Sequence, residues 1–224
     1  MSKKFEQKIE KEWDKLMWNR EYKKGEKLIK EALKIEPNNP KFWYFLGYIY
    51  DHMPGKENER KAIECYKKVK SLAPDWVNWR LGMARVYWRK GSLRGLRYYR
   101  EILKSKPSLV EKSLAMAEMG IAYSKAKKFS QAEKCFLKAL KLLPRLKSKH
   151  PERYKFVIFF NLMTVYKDWG KEKEARKYAK KALSLFRFLP SKHRNSKGGE
   201  ELLKTIKEIT EGTKARSKSI YKKK

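Results

Sequence analysis

Few side chains in this chain could carry out bond chemistry. Its three histidines, His52, His150 and His193, lie far apart with no metal-ligand spacing. None stands with a Ser, Cys or Asp at the spacing of a nucleophile and its base. Cys65 and Cys135 each directly precede an aromatic residue, Tyr66 and Phe136. Matching positions of this kind point to buried, inert thiols, and two cysteines cannot build a disulfide framework or an all-cysteine zinc site. No phosphate-cradling GxxxxGK[ST], no GxGxxG and no HExxH occurs. The sequence therefore predicts no catalytic residue, no metal and no cofactor, and a protein that is not an enzyme. What remains is recognition chemistry, in which aromatic rings and cations recur at helical spacing.

Charge sets the terms of that recognition. The 224 residues include 58 Lys and Arg against 25 Asp and Glu, a net charge of +33. Aromatic residues make up 13%, with 7 Trp and 13 Tyr, which a disordered basic tail would lack. From Ser191 onward the net charge is only +7, so +26 coats residues 1–190. A basic body favours polyanionic partners: acidic protein segments, nucleic acid or an anionic membrane. The beginning, MSKKFEQKIEKEWD, is charged where a signal peptide needs an apolar core. The apolar run Phe156–Phe160 is too short to span a bilayer. A soluble, cytoplasmic protein is expected.

The elements that must position these residues repeat. Pro37, Pro74, Pro107 and Pro144 follow one another at 37, 33 and 37 residues, each after an apolar helical stretch that a proline would end. Between them runs a finer pattern. One stretch has Trp43, Leu46, Gly47 and Tyr50, then Ala62 and Tyr66, then Pro74; another has Met116, Met119, Gly120 and Tyr123, then Ala132, Phe136 and Ala139, then Pro144. Offsets of three and four place these residues on one helix face. Two helices per period make a hairpin, with the small residues permitting close approach.

These strings resemble the tetratricopeptide repeat family, whose signature is aromatic–Leu–Gly–Tyr, Ala–aromatic, Pro. The resemblance implies an all-α, right-handed α-solenoid of about five helical hairpins. The units fall at about 6–39, 40–76, 77–109, 113–146 and 156–189, followed by a linker over 190–199, a capping helix over 200–212 and a basic, disordered tail over 213–224. The stretch Arg145–Arg153 suits either a simple connector or an extended first helix. In the first unit Trp13 takes a slot that is Gly47 or Gly120 elsewhere and Gly25 stands at the facing slot, so Trp13 is expected against Gly25. An apolar stripe of Phe5, Ile9, Leu16 and Met17 on the first helix is a candidate surface for homo-oligomers.

In this architecture the first helix of each hairpin lines a groove. The flank left free by the packing residues carries Trp18, Tyr44, Tyr48, Arg85, Trp88, Arg89, Lys125, Phe160 and Lys167, the predicted partner-binding set. Asp14, Asp51 and His52 share that flank. Aromatic and Arg side chains are common binding anchors, and Arg grips carboxylates bidentately. The Lys–Asn–Arg clamp with which some family members hold chaperone tails is missing, since its slots here hold Tyr44, Tyr48, Asn78, Gly82 and Glu118. The leading expectation is a scaffold that holds an acidic, extended or helical segment of a protein partner. The alternative is RNA or other nucleic acid, by stacking and phosphate pairing; no base-reading pair recurs in every unit to support a one-base-per-repeat code. Membrane attachment through Lys222–Lys224 alone would be marginal.

Overall fold

The computed structural model describes residues 3–145 and 151–212. Five successive helical hairpins form α1 (Lys3–Trp18) with α2 (Tyr22–Ile35), α3 (Pro40–His52) with α4 (Lys56–Leu72), α5 (Asn78–Trp88) with α6 (Leu96–Lys104), α7 (Leu109–Lys125) with α8 (Phe129–Leu142), and α9 (Pro151–Asp168) with α10 (Glu172–Phe186). A short turn of helix, α11 (Ser191–Arg194), leads into α12 (Lys197–Glu211). No strand occurs among the described residues. The chain is an all-α solenoid.

Local chemistry sets the boundaries. Pro37, Pro74 and Pro107 lie two or three residues beyond α2, α4 and α6, and Pro144 falls in the 3-10 turn Leu143–Arg145 that follows α8. Asn39 caps α3 by accepting from the backbone of Lys41 (2.9 Å) and Phe42 (3.4 Å), with Pro40 at the first helical position. Ser108 and Glu111 form a reciprocal capping box on α7. Trp43 and Trp79 donate their indole N–H to the carbonyls of Pro37 (2.7 Å) and Pro74 (2.9 Å), so each helix-ending proline also anchors the next hairpin.

The core is strung along the array in three clusters. One joins the first two hairpins, one spans the second, third and fourth, and one joins the fourth, fifth and α12. Each hairpin thus buries its apolar face against neighbours. Tyr66 shows the seam best. A Cβ on Gly47 would fall 2.8 Å from its ring and one on Gly82 would fall 2.4 Å from it, so the fully buried ring sits between glycines of two consecutive hairpins.

Several boundaries and contacts differ from expectation. The stretch 190–199 is not a loop: α11 lies inside it and α12 starts at Lys197, capped by Ser196, whose hydroxyl accepts from the Gly199 amide at 3.1 Å. The fifth hairpin begins at Pro151. Residues 146–150, with His150, and the tail 213–224 lie outside the described residues. Gly25 faces Met17, whose methyl would lie 2.6 Å from an added Cβ, while Trp13 stacks flat on Phe45 at 4.1 Å. The large-for-small exchange is therefore met by Met17, one turn further along α1. The stripe proposed for self-association is consumed within the chain, because Ile9 and Leu16 are buried and Phe5 meets the edge of Phe42.

Candidate partner-binding groove

The predicted groove residues fall into three groups with different fates. The first is a buried polar network joining α3, α5 and α7. Asp51 accepts from Arg89 Nε at 2.9 Å and faces Arg85 at 3.7 Å; Arg85 also faces Glu118 at 3.6 Å. The Arg85 guanidinium lies over the Tyr48 ring at 5.0 Å. Tyr99 donates to Glu118 at 3.4 Å. Arg85 is only 7% exposed, and its Nη1 and the Asp51 Oδ2 opposite have no hydrogen-bond partner, so charge alone joins those two atoms. Burial pushes the Asp51 carboxyl up to about 6 against the pull of Arg85 and Arg89, which leaves it ionised at neutral pH. Burial and the Arg89 charge push His52 down to about 3, so that ring is neutral.

This network changes the expected role of Arg85. A cation that must balance Asp51 and Glu118 cannot also grip a partner's carboxylate without stranding them. Arg89 is partly exposed but held by the same Asp51. Tyr44 packs among Phe45, Tyr66 and Trp76, and Trp88 is half-buried with an unpartnered indole N–H. The signal for this pairing lay in the sequence, since Asp51 shares the groove register with Arg85. Only the tertiary contact brings Glu118 to it.

The second group converges at the two ends of the chain. Trp18, Tyr48 and Phe160 line one cavity of about 510 Å³, together with Trp13, Met17 and Leu202. Its walls come from α1, α3, α9 and α12, so the first and last helices of the array meet there. A polar clasp holds them. Asp14 accepts from Lys192 at 2.6 Å and from His193 Nε2 at 2.7 Å, and Trp18 stacks on the His193 ring at 4.3 Å. Arg20 pairs with Glu201, and the Lys197 amide donates to the Asn19 side chain at 3.4 Å. A Cβ on Gly198 would fall 2.8 Å from the Trp18 carbonyl oxygen, so this approach needs glycine. Burial raises the Asp14 carboxyl, but the bonds from Lys192 and His193 outweigh it and hold it below its ordinary value. The C-terminal helix is therefore more than a cover for the last hairpin, because it also supplies a wall of the cavity.

The third group is open. Lys125 and Lys167 stand exposed at the C-terminal ends of α7 and α9, with no carboxylate within 4.0 Å among the described residues. Upstream on the same flanks are apolar residues that sequence reasoning passed over. Val110 and Leu114 on α7 are 46% and 42% exposed, and Tyr154 and Val157 on α9 are 41% and 48% exposed. Repeated steps of three or four residues back along the helix from Phe160 reach Val157 and Tyr154, and the same steps back from Lys125 reach Leu114 and Val110. The stripe Tyr154–Val157–Phe160 runs along α9 into the cavity.

Nothing in these groups assembles a reaction centre. Burial pushes Cys65 up to about 12 and raises Cys135, so neither is a ready nucleophile. Among the described residues no cluster of His, Cys, Asp and Glu could hold a metal ion.

Comparison with known proteins agrees with the fold. Models of the tetratricopeptide repeat match residues 113–146, and also 40–75 and 158–187. The chain is similar to a putative cytochrome c-type biogenesis protein, CcmH, of Haemophilus influenzae, with 26% identity over 122 residues. That match takes in 51% of this chain and 25% of the relative, so it spans about a quarter of the relative's length. The crystal structure of PilW, a widely conserved type IV pilus biogenesis factor, superposes with a TM-score of 0.58 at 19% identity, covering 92% of this chain and 91% of PilW.

Proposed function

We propose that this tetratricopeptide-repeat protein is a non-enzymatic scaffold that holds an extended or helical segment of a partner protein along its inner wall. One observation carries the reading: a ring-lined cavity of about 510 Å³ continues into the half-exposed stripe Phe160–Val157–Tyr154. Aromatic-lined cavities accept the large apolar anchors that dominate such interfaces. An apolar anchor therefore leads, and charge is secondary. Lys125 and Lys167 are the cations free to meet acidic residues flanking that anchor. The two relatives, both named for biogenesis, are consistent with a part in assembling a larger apparatus. A reducing, cytoplasmic location belongs to the same proposal and is supported by two free thiols.

Nucleic acid is less well supported at this wall. Single strands need free cations beside free rings. Here Arg85 and Arg89 balance Asp51 and Glu118, and Tyr44 is packed among other rings.

Peptide display on the full chain tests the proposal. Enriched peptides should carry an aromatic or branched aliphatic anchor with acidic flanks. They should lose binding to a Phe160→Glu variant and survive nuclease treatment. Failure to enrich any peptide sensitive to Phe160→Glu would reject the groove as the site.

A further inference from the structure

The positive charge is concentrated in one part of the outer surface. Residues 77–189 hold 29 Lys and Arg against 8 Asp and Glu, whereas residues 1–76 hold 18 against 13. The second helices of the hairpins face outward, and their register can be compared from the small buried residue each contains. Two residues beyond Gly95, Ala132 and Ala175 stand Arg97, Lys134 and Lys177, all exposed. One turn further come Arg100, Lys138 and Lys180, again all exposed. None of these six has a carboxylate within 4.0 Å among the described residues. In the first two hairpins the corresponding helices carry acids among their cations and pair part of the charge, Lys30 with Glu26 and Arg60 with Glu57 and Glu64. Lys27 and Lys68 there stand exposed without such a partner among the described residues, and on the rear helices the comparable pair is Arg176 with Glu172.

We propose that the outer face of α6, α8 and α10 docks on the surface of an anionic lipid bilayer. The cations lie on the second helices of three successive hairpins and form an array rather than a track. A polynucleotide presents its phosphates in fixed rows, whereas lipid headgroups diffuse sideways and can match any array. A single-strand reader also needs exposed rings beside its cations. On these helices Tyr98, Tyr99 and Phe136 are buried, and the exposed large apolar residues lie elsewhere. With no apolar anchor on the face, and no helix among the described residues long and apolar enough to cross a membrane, attachment is peripheral and reversed by salt. This surface is independent of the inner wall and of the terminal lysines 222–224.

Vesicle co-sedimentation with the full chain tests the proposal. Vesicles of phosphatidylcholine with about one-third phosphatidylglycerol should bind it, those of phosphatidylcholine alone should not, and about 0.5 M salt should release it. Two variants of equal charge change locate the surface: Lys134→Glu, Lys138→Glu, Lys177→Glu and Lys180→Glu together, against Lys8→Glu, Lys11→Glu, Lys23→Glu and Lys27→Glu together. The first should weaken binding by at least about tenfold and the second by no more than about threefold. Should the first variant lose its helical circular dichroism, glutamine at the same four positions gives a graded loss. Equal losses in both variants would mean that net charge alone attracts the vesicles and would overturn the proposal. So would retained binding in the first variant, equal binding to phosphatidylcholine alone, or capture of duplex nucleic acid with no binding to anionic vesicles.

Discussion

The first two hairpins and the last three are built from the same unit and treat charge in opposite ways. In residues 3–76 acids are nearly as common as cations, and several cations are answered by them: Lys41 by Glu6 (2.8 Å) and Glu10 (2.9 Å), Lys30 by Glu26, Arg60 by Glu57. In residues 77–189 acids are scarce: Glu118 and Glu133 turn inward to Arg85 and Tyr166, while Glu101 and Glu172 meet Arg80 and Arg176 at the surface. The inner walls differ as well. The front wall is closed by packed rings, and a buried ion network ties it to the third and fourth hairpins, while further back Val110, Leu114, Tyr154 and Val157 are left uncovered. A repeat fold needs only its small and large seam residues to stack. The remaining positions are free to diverge, and here they separate a front close to charge balance from a rear with a large cationic excess and uncovered apolar groups.

The largest effect should come at the seam between these regions. Tyr66→Ala empties the space between Gly47 and Gly82 and should cost about 3–5 kcal/mol in urea unfolding. Loss of two-state unfolding, with the rear melting apart from the front, would sharpen the contrast. Next, Arg85→Ala strands Asp51 and Glu118 and should cost about 3 kcal/mol, whereas Lys167→Ala should stay within about 0.5 kcal/mol. Equal costs would break the contrast between spent and free cations.

The pH dependence is smaller and its sign is informative. Asp51 in the folded chain holds its proton up to about 6, against an ordinary value of 3.8. Between those values the folded state binds the extra proton, so this group's contribution to stability falls as pH rises through the window. Asp51→Asn should remove a slope of about 1–2 kcal/mol from denaturation measured across that range. Asp14 acts oppositely: its lowered carboxyl stabilises above the ordinary 3.8 and that contribution is lost on further acidification. The smallest effect is at the clasp, where Asp14→Ala should cost about 1 kcal/mol and speed amide exchange in α12 without changing it in α4.

The hairpins were legible in the sequence because proline spacing and small–large alternation are local signals. The pairing of Arg85 was legible only in part: Asp51 shares its register, but the full balance depends on Glu118, 33 residues further along the chain. Met17 rather than Trp13 filling the Gly25 space turns on one turn of register in α1, which helical periodicity alone does not resolve. The clasp was beyond sequence reasoning altogether. Asp14 and His193 are 179 residues apart, and their contact follows from the accumulated curvature of every hairpin between them.

That closure is the central claim, since it builds the cavity from both ends of the chain. Asn19→Cys with Lys197→Cys, made on a Cys135→Ser background, tests it by disulfide formation under mild oxidation, read by intact mass and non-reducing electrophoresis. The account predicts rapid, intramolecular cross-linking in the folded protein that is abolished in urea. A protein that stays folded and reduced under the same oxidant would show an array whose ends never meet, and the cavity would go with it.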